Sequence, residues 1–466
     1  MRLHVAFALI GAALAFTLGG CATVYNLPLN KPSANPFAGT LIRAAAAAER
    51  KDDTGGTVVG LAFSGGGTRA AAFAYGVLEQ LERTPTPHVG GRDLLDHVGI
   101  VSGVSGGSVI AAYYGLKGRA ALSDFRQQFL DQDVMAALNT QVSLINIDRA
   151  LGGGVNTDNR LRDWFNAHLF HGATFSALIG RRPIVLINAT DIYSRTPFLF
   201  APVTFAAMCS DIAEYPVAGA VAASAAVPGA FAPVVIQSFH GECKTPLPPT
   251  VVEAAKNPGE SPLMYSFAQA LERAHSGQVK YIKLLDGGLA DNYGLSGLTI
   301  ARAASGTPYG PLQPREAINL RRLLFVVVDA GVGPQGDWSQ TVQGPTGKEL
   351  IGAVMDTMLD ASKRSSYVAF QATMENWRNA LIRWRCGLKS AEVARLRGRG
   401  GRWSCRDVKF TILHVSFDAL DPARAKLLNA VPTSFTLPAA SVDALTQAGG
   451  AALATNPGYK SFLRGL

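Results

Sequence analysis

A serine flanked by glycines is the residue of this chain whose surroundings point most directly to chemistry. Ser105 stands in the run Gly103-Val104-Ser105-Gly106-Gly107, entered from an apolar segment and followed by a helix-like one. A G-x-S-x-G run between a buried strand and a helix predicts a nucleophile elbow, a sharp turn that exposes the hydroxyl at the edge of a sheet. The dipole of the following helix favours negative charge developing beside that hydroxyl. The sequence therefore predicts Ser105 as the nucleophile of a hydrolase.

Three successive glycines form a second candidate site upstream of the elbow. Gly65, Gly66 and Gly67 lie between a strand-like and a helix-like run, and Arg69 follows them. Backbone N–H groups at such a junction can point at an anion, which predicts an oxyanion hole. A phosphate-binding loop is the competing interpretation. However, this run lacks the lysine of the G-x-x-x-x-G-K-[ST] motif, and three contiguous glycines do not fit the G-x-G-x-x-G motif.

Asp286 is the candidate general base. It ends an apolar strand-like run and precedes two glycines. An Asp-Gly pair usually marks only a turn, but a buried carboxylate with a raised pKa can take a proton from a serine hydroxyl that it contacts. His414 is the competing base, because it alone among the eight histidines follows the acid in the order of a hydrolase triad. Its place within a strand-like run favours a packing role.

These pieces, taken in order, resemble the motifs of patatin-like phospholipases. That family has a G-G-G-x-R oxyanion loop, here at 65–69, a G-x-S-x-G elbow at 103–107 and a D-G-G/A base at 286–288. The run at 223–233 is similar to the family's A-S-x-A-x-P-x-x-F-x-P block, and 188–191 lies where the family has a motif after a strand.

The resemblance extends from about residue 57 to about residue 293. It implies a Ser–Asp dyad without a catalytic histidine, no cofactor, and cleavage of phospholipid or another lipid ester. It also implies a three-layer α/β/α fold with a mostly parallel central sheet. A general esterase or thioesterase would use the same residues, and a structural lipoprotein that retains the fold is the alternative without catalysis.

The distribution of apolar runs favours the same architecture. Helical patterns separate the strand-like runs, and continuous apolar strands are typical of a parallel sheet covered on both faces. These runs lie at 58–63, 98–102, 184–188, 281–285, 323–328 and 409–415. We expect a catalytic domain at 57–335 and an extension at 336–466 that completes it or packs on it. A proline-rich insertion at 241–277 is either a lid beside the site or a surface excursion.

The first twenty residues predict a secretory signal peptide. A short positive start precedes an apolar run, and the closing Leu-Gly-Gly-Cys resembles a bacterial lipobox, in which Cys21 would be diacylated. A transmembrane helix is the alternative, but the apolar run is shorter than the roughly 20 residues that span a bilayer. Ala22 stands where an aspartate would favour the inner membrane, so we expect a lipid anchor in the outer membrane of a bacterial envelope. Residues 21–56 are predicted to be a tether.

The other four cysteines fit an exported protein, because their number is even and disulfides form outside the cytosol. Nearness in sequence favours the pairs Cys209–Cys243 and Cys386–Cys405 among three possible pairings. No C-x-x-C spacing supports a zinc site.

The formal net charge of +9 comes without a nucleic-acid recognition motif, so anionic lipid head groups are the expected partner. The basic segment at 386–405 is predicted to be a loop, either solvated or facing a membrane. Nothing in the sequence indicates an oligomeric state.

Overall fold

The computed structural model describes residues 26–40, 55–138, 156, 158–259, 261–333, 338–398 and 403–466. The predicted signal peptide, Cys21 and much of the predicted tether lie outside these residues. The strands are β1 (Thr57–Phe63), β2 (Val98–Val104), β3 (Ile184–Asp191), β4 (Thr196–Leu199), β5 (Val234–Gln237), β6 (Tyr281–Asp286), β7 (Arg322–Asp329) and β8 (Lys409–Ser416). The helices are α1 (Gly67–Glu82), α2 (Gly106–Lys117), α3 (Ala121–Phe125), α4 (Val134–Leu138), α5 (Asp158–Phe165), α6 (Pro202–Ala207), α7 (Val217–Ser224), α8 (Pro249–Ala254), α9 (Pro262–His275), α10 (Gly288–Asp291), α11 (Leu295–Ala304), α12 (Pro314–Asn319), α13 (Lys348–Gly387), α14 (Ser390–Arg397), α15 (Pro422–Asn429), α16 (Ala439–Thr455) and α17 (Pro457–Leu463).

The strands form one sheet in the order β5-β6-β3-β2-β1-β7-β8, with β4 paired to β3. Strands β3, β2, β1, β7 and β8 run parallel to one another, whereas β4, β5 and β6 are antiparallel to their neighbours. Strands β1 and β2 are buried along their whole length because helices cover both faces of the sheet. The predicted α/β fold with a mostly parallel central sheet is confirmed.

Two apolar cores lie on opposite faces of this sheet. One contains side chains of α1, α2, α7 and α16, among them Phe73 and Tyr113. The other contains side chains of α9, α11 and α13, among them Phe370 and Trp377. The six strand-like runs of the sequence all become strands, whereas β4 and β5, of four residues each, are too short to stand out from loops.

Strand β6 brings its carboxyl end to the level at which β2 ends. Strand β3 pairs with β2 only as far as Asn188, and β6 pairs antiparallel with the extension of β3 beyond that point, so that Asp286 lies opposite Ala189. The chain thus enters β6 from beyond the sheet edge. Ser105, which follows β2, and Asp286, at the end of β6, are thus brought to the same level by strands that run in opposite directions.

The C-terminal segment contributes to the same sheet and core. Strand β8 extends the sheet beside β7, and α16 packs on α1. Helix α13, with 40 residues, is the longest of the described helices and has no counterpart in the sequence analysis. It runs from the carboxyl edge of the parallel strands to their amino edge, where Arg385 donates a hydrogen bond to Leu320 O at 2.6 Å.

Part of the predicted tether is bound to the domain instead. The Asn26 side chain donates to the backbone oxygens of Ala232 and Pro233, both at 3.0 Å. Asn30 bonds both the N–H and the C=O of Gln237. Strand β5 lies at the edge of the sheet, and an edge strand presents backbone groups that side-chain amides can pair. Residues 26–39 are therefore not a free linker.

Disulfides join Cys209 to Cys243 and Cys386 to Cys405. The second bond closes a segment that contains α14, so the predicted loop is partly helical. Trp403 donates to Ile318 O at 3.1 Å, which places this basic segment at the amino edge of the parallel strands. In the described part of the chain, no helix is both long and apolar enough to cross a bilayer.

Candidate active site

Ser105 occupies the turn between β2 and α2 with φ 51° and ψ −124°. A non-glycine residue rarely adopts this conformation, and such strain persists only where the surroundings hold it. The turn also packs directly on the glycine loop, since a Cβ atom at Gly106 would lie 1.9 Å from the backbone oxygen of Gly67. The sequence-predicted elbow and oxyanion loop are thus in contact.

Asp286 and Ser105 line the same cavity. The Gly288 N–H donates to Asp286 Oδ1 at 2.8 Å. Burial raises the pKa of Asp286 to about 6, against the lowering effects of this hydrogen bond and of the nearby Ser105 hydroxyl. The carboxylate is therefore ionised at neutral pH and more basic than an exposed aspartate.

Ser224, at the end of α7, holds both partners in place. Its hydroxyl accepts the Ser105 N–H at 2.9 Å and donates to Asn188 O at 2.6 Å. Its backbone oxygen accepts the Gly287 N–H at 3.1 Å, next to Asp286. The motif at 223–233 is visible in the sequence, but no local pattern indicates a role for this serine. We interpret it as a positioning residue, since it bonds the backbone on both sides of the dyad.

The glycine loop supplies fewer free donors than the sequence suggests. The N–H of Gly65 already donates to Asn292 O at 3.1 Å, so this predicted oxyanion donor is engaged. Gly66 and Gly67 have φ values of 139° and 62° and stand at the start of α1, where N–H groups have no acceptor within the helix. These two N–H groups are the candidate oxyanion donors.

Arg69 anchors this loop. Its guanidinium donates to Ala330 O at 2.9 Å and to Val431 O at 2.8 Å, beyond β7 and after α15 respectively. Burial lowers the pKa of Arg69 to about 10, so the side chain stays protonated at neutral pH. These contacts support an anchoring role for Arg69, which follows the three glycines in the sequence.

His414, the competing base, lies away from Ser105 and Asp286. Its strand, β8, is three strands from β2, which corresponds to about 14 Å across the sheet. The imidazole Nε2 lies 3.2 Å from the Tyr293 hydroxyl and 3.7 Å from Asp329 Oδ2. In the described residues, no group of three or more His, Cys, Asp or Glu side chains could hold a metal ion.

A cavity of about 370 Å³ opens above the dyad. Ser105, Asp286, Gly66 and Arg69 line its floor, and apolar side chains make up much of its walls. Those walls come from residues 227–228, 331–333 and the first turns of α13, which the sequence analysis did not connect to the site. None of the described residues of 241–277 lines the cavity, so the insertion does not cover the site as a lid in this structure, and it is not a surface excursion either. Its helix α9 packs in the second core instead.

Three comparisons bear on relatedness. A family model described as patatin-like phospholipase matches residues 61–299, just over half of the 466-residue chain. Among solved structures, human GIVD cytosolic phospholipase A2 is similar, with a TM-score of 0.43 and 12% sequence identity over 94% of this chain and 67% of that chain. No curated protein sequence matches. The family match contains the glycine loop, the elbow and Asp286.

Proposed function

The chain belongs to the patatin-like phospholipase family, and from this premise we propose that it cleaves carboxylic esters of membrane lipids through a Ser105–Asp286 dyad. One observation carries the proposal: Ser105 and the buried Asp286 carboxylate lie together in the lining of a largely apolar cavity, close enough for the serine hydroxyl to affect the pKa of Asp286. Membership of the family supports a lipid acyl hydrolase. The dyad and its mechanism are inferred from the contacts.

In the first half of the reaction, Asp286 takes the Ser105 proton while Oγ attacks the ester carbonyl carbon. The N–H groups of Gly66 and Gly67 stabilise the negative charge that develops on the carbonyl oxygen. The bond to the alcohol then breaks, and Asp286 returns the proton to the departing alkoxide. This leaves an acyl ester on Ser105.

In the second half, water replaces the alcohol. Asp286 takes a proton from water as its oxygen attacks the acyl carbon, and then returns the proton to Ser105 Oγ as the fatty acid leaves. A single base serves both halves because its pKa of about 6 lies near neutral pH, where proton transfer in both directions is efficient.

The lipid preference is tested by comparing two substrates. The full chain is incubated with phosphatidylcholine vesicles and, separately, with a soluble nitrophenyl ester of a short fatty acid. We expect both to be hydrolysed, with free fatty acid released from the vesicles. Hydrolysis of the soluble ester alone would instead identify a general esterase, and hydrolysis of neither would indicate a structural protein.

The location is part of the same proposal. We infer that Cys21 is lipidated and anchors the protein in the outer membrane, on the strength of the lipobox-like sequence. Multiple acyl chains on one residue would give stable attachment. Because Asn26 is bound to the domain five residues after Cys21, such an anchor would hold the domain close to the membrane.

The oxyanion assignment predicts that Gly66→Val lowers kcat by about 100- to 1000-fold with little change in KM. A Cβ atom at Gly66 would lie 3.2 Å from the Arg69 guanidinium, and the backbone there has φ 139°, so valine must displace the loop. Kinetics on the soluble ester measure the effect. Gly172→Val is the control, because Gly172 also has a positive φ but has open space around it. Equal activity of both variants and the parent would show that the glycine loop is only a helix entry.

A further inference from the structure

The first part of α13 projects beyond the sheet. Lys363 Nζ lies 3.3 Å from Asp329 Oδ1, at the carboxyl end of β7, so Lys363 marks the level of the sheet edge. Residues 348–362 precede this point in the helix and extend past the edge by about 22 Å at 1.5 Å per residue. They stand beside the cavity that contains Ser105.

The two sides of this projecting part are both apolar. Ala353, Met355 and Leu359 line the cavity. On the outer side, Leu350, Val354 and Met358 are 50%, 51% and 53% exposed. Residues four apart lie on one face of a helix, so these three form a continuous apolar stripe in solvent. Farther along α13, the exposed positions include Gln371, Glu375 and Asn376.

Two more exposed apolar side chains belong to the cavity lining. Val227 and Trp338 line the cavity and are 39% and 38% exposed. We call these two residues and the α13 stripe the mouth patch: Val227, Trp338, Leu350, Val354 and Met358. Exposed apolar residues usually occur singly on a soluble protein, and a cluster of them marks an interaction surface.

We propose that the mouth patch inserts into the interfacial region of a lipid bilayer, so that a lipid ester passes from the membrane to Ser105 without crossing water. This inference rests on the proposed function. The patch is continuous with the apolar cavity wall, and tryptophan favours the membrane interface. Acidic Glu349, Asp356 and Asp360 lie along the same helix, so the contact depends on apolar insertion and not on positive charge.

The N-terminal segment supports a bilayer as the occupant. Asn26 is bound to Ala232 and Pro233, which follow Val227 in the same connection before β5. Five residues reach at most about 18 Å, so a lipid on Cys21 would enter the membrane near the mouth patch. By contrast, the basic segment closed by Cys386–Cys405 lies at the opposite edge of the sheet. A bilayer that contacts the mouth patch does not touch the basic segment. This argues against the interpretation of the basic segment as a membrane-facing loop.

The test measures binding to phosphatidylcholine vesicles by flotation. The full chain carries Cys21→Ser to prevent lipidation and Ser105→Ala to keep the vesicles intact. Adding Leu350→Gln, Val354→Gln and Met358→Gln together is expected to lower the partition coefficient by roughly tenfold or more, because three half-exposed apolar side chains no longer leave water. Binding of the parent should be nearly independent of salt. Equal thermal melts establish that the triple variant folds.

A matched control lies on the same helix. Val368 is 66% exposed and, lying 18 residues after Leu350, shares its face, but it is below the sheet edge marked by Lys363. Val368→Gln should bind as the parent does, whereas Val354→Gln alone should bind less. Unchanged binding of the triple variant, or an equal loss in Val368→Gln, would overturn the proposal. So would binding that requires anionic lipid and is lost in Arg395→Gln, since that result assigns the contact to the basic segment.

Activity separates this proposal from the proposed function. With Ser105 present, the triple variant should hydrolyse the soluble ester at the parental rate but release less fatty acid from phosphatidylcholine vesicles. If the parent hydrolyses neither substrate, the proposed function fails while the vesicle-binding result still stands. If the triple variant hydrolyses vesicles as the parent does, the mouth patch is not the route of the lipid.

Discussion

Ser105→Ala is expected to lower turnover of lipid and soluble esters by at least about 10⁴-fold, because no acyl-enzyme can form without the hydroxyl. Residual activity would come from the oxyanion donors and from substrate binding alone. The substitution removes only the hydroxyl that lies near Asp286, so we expect the variant to fold normally. Initial rates on the nitrophenyl ester measure the loss.

A fluorophosphonate probe provides the independent readout. It should label the parent and leave Ser105→Ala unlabelled. Ser108→Ala is the matched control, because Ser108 lies in the same turn and donates its hydroxyl to Ser105 O at 2.7 Å. We expect that control to be labelled. Labelling of Ser105→Ala itself would contradict the assignment and direct attention to the neighbouring serines.

Asp286→Asn is expected to lower kcat by about 10³-fold or more, since an amide cannot accept the serine proton. The fold should tolerate the change because the asparagine oxygen can still accept the Gly288 N–H. The matched control is His414→Gln, which removes the competing base and should retain activity. Loss of activity in His414→Gln with activity preserved in Asp286→Asn would show that a histidine triad operates.

The raised pKa of Asp286 predicts how the activity and the stability of the parent depend on pH. In the parent, kcat/KM should rise with pH as the carboxylate ionises, reaching half of its plateau near pH 6 and levelling off at higher pH. Since the pKa is higher in the folded state than the ordinary value near 3.8, the folded state binds this proton more tightly than the unfolded state does. Stability from this group is therefore complete below about pH 4 and declines as pH rises to about 6.

Asp286→Asn removes that cost of ionisation. We expect its melting temperature to equal or exceed that of the parent at pH 8, with the difference vanishing toward pH 4. Thermal melts across this range test the sign. If the variant is clearly less stable than the parent at pH 8, the ionised Asp286 carboxylate does not destabilise the folded state.

Local requirements of the backbone explain what the sequence alone determined. Tight strand-to-helix turns need glycines, and buried parallel strands need continuous apolar runs, so the elbow at Ser105, the glycine loop and the main strands were predictable from residue types and spacing. The same reasoning predicted Asp286 at the end of a strand. It also favoured the two disulfide pairs present in the structure, since cysteines close in sequence meet more readily.

Contacts between distant segments decided the rest. The bond from Gly65 to Asn292, the support of the dyad by Ser224 and the attachment of Asn26 to the connection before β5 each join residues far apart in the chain, so no local pattern predicts them. The residues that surround the cavity are likewise brought together from distant parts of the chain. Taken alone, α13 is an ordinary amphipathic helix. Because of its position relative to the edge of the sheet, its first turns line the cavity on one side and present apolar side chains to solvent on the other. Sequence specifies which surfaces are apolar, but what those surfaces meet depends on where the whole chain places them.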